Sequence, residues 1–188
     1  MESRILIGIA ASDYIRTQTT GMLIALFKAR PDMRLIIKQS PYVHDNREQI
    51  ADDFLETDCS HLFFVDSDML FKPDVLDSLL AHNKDIVGAR YYRRGRDGVP
   101  VVNTRYDMPG ASLPDHIYKN YAVGTGCMLV KRAVFEKVPK RCFEMGTREH
   151  WLGEDLAFCK RAKEHGFETW EDPSLEVFHI GEKLYGKV

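Results

Sequence analysis

The sequence has no apolar run approaching the roughly 18 residues that a membrane span requires. Its first apolar stretch, "RILIGIA" in Arg4–Ala10, is short and strand-like, without the layout of a signal peptide. A cytoplasmic location is therefore expected. The four cysteines, Cys59, Cys127, Cys142 and Cys159, form no CxxC pair. A structural zinc site is not expected, and the thiols should stay free. No excess of charge of one sign is present, because 26 Lys and Arg face 28 Asp and Glu for a net charge of −2. No global field then draws the chain to nucleic acid or to an anionic membrane. No repeat, low-complexity tract or linker marks a boundary, so 188 residues are read as one domain.

The remaining composition, 44% hydrophobic and 29% charged, is that of an ordinary globular chain able to bury a sizeable core. Along it, short apolar runs alternate with segments of helical spacing. Strands are expected at Arg4–Ala10, Met33–Lys38, His61–Val65 and Lys84–Tyr92. Helices are expected at Thr19–Arg30, Asn46–Thr57 and Lys72–His82, the last with Pro73 near its start. That alternation implies βαβ units and an α/β fold with a mostly parallel sheet, its strands covered on both faces. After Tyr92 the pattern becomes mixed. It contains a loop-rich stretch, strand pieces around "GTG" (Gly124–Gly126), and a short helix. A last helix over "GEDLAFCKRAKEHG" ends at Gly166, and two short strands close the chain.

The chemistry concentrates in "HLFFVDSDMLF", His61–Phe71. Asp66 and Asp68 interrupt an apolar run one residue apart, and carboxylates are rarely buried without a partner. In an extended segment residues i and i+2 point the same way, so both could converge where the third strand ends. Ligands of open α/β sheets bind at that end of the strands. Two carboxylates there call for a cation, and Mg²⁺ or Mn²⁺ characteristically bridges protein carboxylates to substrate phosphates. With 16 aspartates in the chain a DxD is weak by itself, and Asp66 as a turn cap with Asp68 solvated would explain it too.

"FFVDSDMLFKPDVLDSLL" resembles the DxD segment of GT-A fold glycosyltransferases, particularly the family-2-like enzymes. "VGTGCMLVKRAVFEKV", "WLGEDLAFCKRAKEHGFETWEDP" and "VFHIG" resemble, in order, three further segments of that family. The resemblance implies a GT-A (Rossmann-like) single domain over residues 1–188. Residues 1–92 would be its nucleotide-sugar-binding half and 93–188 its acceptor-side half. It implies a transferase moving a sugar from a UDP- or GDP-sugar to an acceptor hydroxyl of a glycan, a lipid-linked or a protein glycan. Mn²⁺ or Mg²⁺ would be held by Asp68 and His179, with Asp66 on the metal through water or near the ribose.

Within that family the aspartate of the "GED" segment is the base of inverting members. This makes Asp155 the candidate catalytic base and Glu154 the group that orients the acceptor. Stabilisation of both acids at a helix N-terminus is the plainer reading, as a hydrogen-bonded structural role is for His179. Gly124 and Gly126 could allow a ligand close approach or simply make a turn. Among Arg90, Arg93, Arg94 and Arg96, one could meet the diphosphate, with Arg90 the candidate, or all could be solvated. Trp151 could stack on a sugar or belong to the core. Ala10, Ser12, Gln39, Arg47 and Ser67 are the remaining candidates for donor contacts, although "AASDYIR" lacks the proline the family usually carries after its first strand. Three other readings stay open: a retaining transferase, a sugar-nucleotide nucleotidyltransferase, and a non-catalytic nucleotide-sugar-binding domain. For the nucleotidyltransferase, "AASDYIRTQTTG" is a poor match to the expected glycine-rich loop.

Overall fold

In a computed structural model the described residues are 4–94, 99–101, 114–146 and 152–181, together with the backbone of 184–185. The expected alternation is present: β1 (Ile5–Ala11), α1 (Thr17–Ala29), β2 (Arg34–Gln39), α2 (Val43–Leu55), β3 (His61–Val65), β4 (Met69–Phe71), α3 (Asp74–Ala81) and β5 (Ile86–Ala89). The second half adds β6 (Tyr118–Asn120), β7 (Cys127–Lys131), α4 (Arg132–Lys137), α5 (Glu154–Glu164), β8 (Thr169–Asp172), β9 (Val177–Ile180) and β10 (Leu184–Tyr185). Gly166 ends the last helix with φ +87°, a conformation that glycine adopts without strain.

Seven strands form one sheet in the order β2-β1-β3-β7-β5-β8-β6. β1 pairs parallel with β2 and β3, and β5 parallel with β8, while β7 runs antiparallel between β3 and β5. The second half of the chain is thus threaded into the sheet built by the first. The strand period of two sorts the core into two layers. From β1, Ile5, Ile7 and Ile9 meet Met22, Leu23 and Leu26 of α1 and Leu76 and Leu79 of α3. Leu6 and Ala10 face the other way, to Ile50 and Phe54 of α2, Phe135 of α4 and Phe158 of α5.

Three local expectations are revised. β2 is an edge strand, with Leu35 40% and Ile37 47% exposed, so it is not covered on both faces. α2 starts at Val43, three residues before Asn46, which carries Asn46 and Arg47 into its buried face. Met69–Phe71 is a strand, too short to show a period, and its partner β9 lies more than a hundred residues downstream. Among the described residues no helix is long and apolar enough to cross a membrane. All four cysteines are free and buried, as expected.

Candidate active site

β1 and β3 run parallel and end side by side, and the loops that leave them line a cleft of about 250 Å³. Ala10, Ser12, Tyr14 and Arg16 come from the β1 end, and Val43 and Arg47 from α2. Asp66, Ser67 and Asp68 come from the β3 end, with Arg94 and His179 opposite. Residues 66–68 do not continue the strand. The Asp66 amide donates to the Gly126 carbonyl at 3.2 Å, and the Met69 amide turns back to the Asp66 carbonyl. The chain therefore makes a turn in place of the expected extended segment, and the two carboxylates take different partners.

Asp68 is set beside His179 by backbone: the Ile180 amide donates to the Asp68 carbonyl at 2.7 Å. Its Oδ2 lies 3.2 Å from His179 Nε2 and 3.1 Å from the Arg94 guanidinium. Burial alone would raise the Asp68 pKa, but the hydrogen bond and charge of His179, with Arg94 and Arg16, hold it below the usual carboxylate range. His179 Nδ1 lies 3.2 Å from the Tyr92 carbonyl, which can only accept, so the Nδ1 proton points there. Nε2 is left facing a carboxylate. Such a pair is satisfied by an imidazolium or by a cation shared between the two side chains. Orientation through an Nδ1–H···O=C bond is the arrangement that metal-binding histidines use.

Asp66 belongs to a different pair. Arg47, only 4% exposed in its side chain, donates Nη2 to Asp66 Oδ1 at 2.8 Å and Nη1 to Glu154 Oε1. Desolvation opposes its charge, but Asp66 and then Glu154 raise its pKa above the ordinary arginine value, so it stays a cation. Among the described residues no three His, Cys, Asp or Glu side chains gather into one metal cage. Asp68 and His179 form the candidate centre as a pair, and Asp66 is held by Arg47.

Glu154 and Asp155 open α5, as the sequence placed them. Asp155 Oδ1 accepts the Leu156 amide at 2.8 Å. Burial first, then the charge of Glu154, push the Asp155 carboxyl up to about 6, against the pull of Arg47.

The remaining candidates divide. Ala10, Ser12, Arg47, Asp66, Ser67, Asp68 and His179 all line the cleft. Gln39 does not; its amide donates to the Asp13 carbonyl. Arg90 is turned into the sheet, bonded to Glu171 at 3.2 Å and to the Tyr118 hydroxyl at 3.0 Å, and it is Arg94 that reaches the cleft. Gly124 and Gly126 lie beneath it: a Cβ at Gly124 would fall 2.4 Å from the Tyr91 hydroxyl, and one at Gly126 2.7 Å from it. Trp151 lies outside the described residues, as does Arg96. Sequence reasoning missed Tyr14, Arg16 and Val43 of the cleft wall, and also Asn46. The buried Asn46 amide donates to the Ala11 and Ser40 carbonyls at 3.0 and 3.2 Å and ties the ends of β1 and β2. An asparagine and an arginine on the otherwise apolar face of α2 were the available signal.

No family model and no curated protein matches this chain. Solved structures do. A197 from STIV aligns over 100% of this chain and 95% of its own, with TM-score 0.65 and 22% identity. GalNAc-T7, crystallised with UDP, GalNAc and Mn²⁺, aligns over 95% of this chain with TM-score 0.56 and 10% identity. TarS 1-349 from S. aureus aligns over 100% of this chain with TM-score 0.50 and 12% identity. The fold is GT-A-like. The chain spans 44% of the GalNAc-T7 chain and 60% of TarS, and at these identities the likeness concerns the fold.

Proposed function

We propose that this protein is a metal-dependent glycosyltransferase that moves a sugar from a nucleotide-diphosphate donor, a UDP- or GDP-sugar, to an acceptor hydroxyl with inversion. The observation that carries the reading is the Asp68–His179 pair. It is oriented by Tyr92 and Ile180 and opens on a cleft at the C-terminal ends of parallel strands. A carboxylate beside substrate phosphates is what Mn²⁺ or Mg²⁺ takes from a protein, and a neutral imidazole is the commonest side-chain metal ligand. The GT-A-like fold supports the same reading, and GalNAc-T7, of that fold, was crystallised with UDP and Mn²⁺.

Each residue then has a task. Asp68 and His179 would hold the divalent cation, which would supply positive charge against the leaving diphosphate. Arg94, at 54% side-chain exposure, is free to turn from Asp68 to a phosphate oxygen. Ala10, Ser12 and Val43 form the wall that receives the nucleoside. Asp155 takes the proton of the acceptor hydroxyl as that oxygen attacks the anomeric carbon. Its Oδ1 is occupied by the Leu156 amide, so the proton goes to Oδ2. A carboxyl raised to about 6 is a stronger base than an ordinary aspartate and remains ionised at neutral pH. Glu154 keeps Arg47 in place between the base and Asp66.

The test is turnover of UDP- and GDP-sugars with Mn²⁺, with NMR on the first product formed. Metal-dependent release of UDP or GDP with an inverted anomeric centre is expected. Donor turnover that is equal in EDTA overturns the metal reading, and a retained centre removes the base role from Asp155.

A further inference from the structure

Beneath the candidate centre lies a residue that does not line the cleft, Tyr91. It is 4% exposed. Its hydroxyl accepts the Gly126 amide at 2.9 Å. Its ring stands edge-on to the His179 imidazole, with centroids 5.7 Å apart and planes at 83°. The point that a Gly126 Cβ would occupy is 2.7 Å from the Tyr91 hydroxyl and 2.9 Å from Asp66 Oδ2, so phenol and carboxylate flank one small gap. The Gly126 carbonyl in turn receives the Asp66 amide at 3.2 Å.

We infer that Tyr91 is the positioning residue of this site: a buried phenol that sets His179 through its ring and Asp66 through Gly126. The inference rests on the transferase reading above. Gly124 and Gly126 are required because the phenol fills the space their side chains would take. At Gly124 a Cβ would lie 2.4, 2.8 and 2.9 Å from three atoms of that phenol, closer than real contacts allow. The "GTG" segment thus serves the tyrosine beneath it. Positions 91 and 92 act together on the imidazole, because the ring of Tyr91 packs nearly perpendicular to it and the Tyr92 carbonyl takes its Nδ1 proton. Phenylalanine could fill the same volume and keep the edge-on contact, as the neighbouring core does at Phe63 and Phe71. The hydroxyl is what phenylalanine cannot supply, and its bond to Gly126 reaches the Asp66 turn.

The test compares wild type with Tyr91→Phe and Tyr91→Leu, titrating Mn²⁺ into protein and UDP, titrating UDP at saturating Mn²⁺, and measuring steady-state kinetics at a temperature where circular dichroism shows all three folded. A purely structural tyrosine would cost stability, because a buried amide loses its acceptor, and leave the metal requirement unchanged. Tyr91→Phe keeps the ring on His179 and loses the bond toward Asp66, so a positioning tyrosine then shows weaker UDP binding. Tyr91→Leu, which removes the ring, raises the Mn²⁺ concentration for half-saturation by about tenfold or more, the usual effect of removing a partner that orients a metal ligand. kcat should fall while KM for acceptor holds. Gly124→Ala, which displaces the whole phenol, should show both effects, and the Tyr91 variants decide the matter if Gly124→Ala does not fold. UDP affinity and kcat equal to wild type in Tyr91→Phe, or a Mn²⁺ half-saturation equal to wild type in Tyr91→Leu, overturn the inference and leave the transferase reading standing. Wild type that binds UDP in neither condition overturns the transferase reading, and this inference with it.

Discussion

Arg47 joins two segments distant in sequence, with Asp66 bonded to one nitrogen of its guanidinium and Glu154, 107 positions after the arginine, to the other. One buried cation therefore fixes the DxD turn against the first turn of α5.

Removing that cation leaves two partly buried carboxylates without their partner. Arg47→Met should cost about 3–5 kcal/mol, the scale for breaking a buried ion pair by deleting one member. Arg47→Lys keeps the charge but loses the two-pronged geometry and should fall between. Denaturant midpoints of the three proteins check this order.

Asp155 carries a pH signature. Its carboxyl is raised from 3.8 to about 6, so the folded state binds this proton more tightly than the unfolded chain. This residue's contribution to stability therefore grows as pH falls through about 6 and is unfavourable above it. Asp155→Asn should melt higher than wild type at pH 8, and the two should converge toward pH 4. Turnover of the variant should drop by roughly a hundredfold or more, the scale of general-base catalysis. In wild type the acid limb of kcat/KM should fall near pH 6. A variant that melts lower at pH 8 and keeps its turnover would make Asp155 a helix cap.

Arg90 and Arg94 should separate cleanly. Arg90→Ala strands Glu171 inside the sheet, so it should lower stability by the cost of an unpaired buried charge and leave UDP affinity unchanged. Arg94→Ala should hardly change stability, since exposed pairs contribute little, and should weaken UDP. Thermal melts and UDP calorimetry on both variants decide it.

The α/β alternation was legible because each buried strand is a continuous apolar run and each helix has its own apolar stripe. The antiparallel insertion of β7 between β3 and β5 was not, because nothing within "CMLVK" (Cys127–Lys131) states which strands it will join. At the site, the positions of Asp68, Asp155 and His179 at or near element ends were legible, which made them candidates. The pairing of Asp66 with Arg47 was not legible. It follows from the turn at 66–68 and from Arg47 approaching from α2, both set by contacts distant in sequence. Arg90 misled for a related reason. A basic run near a loop fixes no direction, and its pairing with Glu171 depends on β5 lying beside β8.

The most direct measurement of the central claim is calorimetry of UDP binding to wild type and to Asp68→Ala, each with Mn²⁺ and with EDTA. Wild type should bind UDP with Mn²⁺ and lose that affinity in EDTA. Asp68→Ala, still folded, should show the weak EDTA-like affinity in both conditions. Equal affinity in all four titrations, or a Mn²⁺ dependence that survives in Asp68→Ala, would contradict a metal centre built on Asp68 and His179.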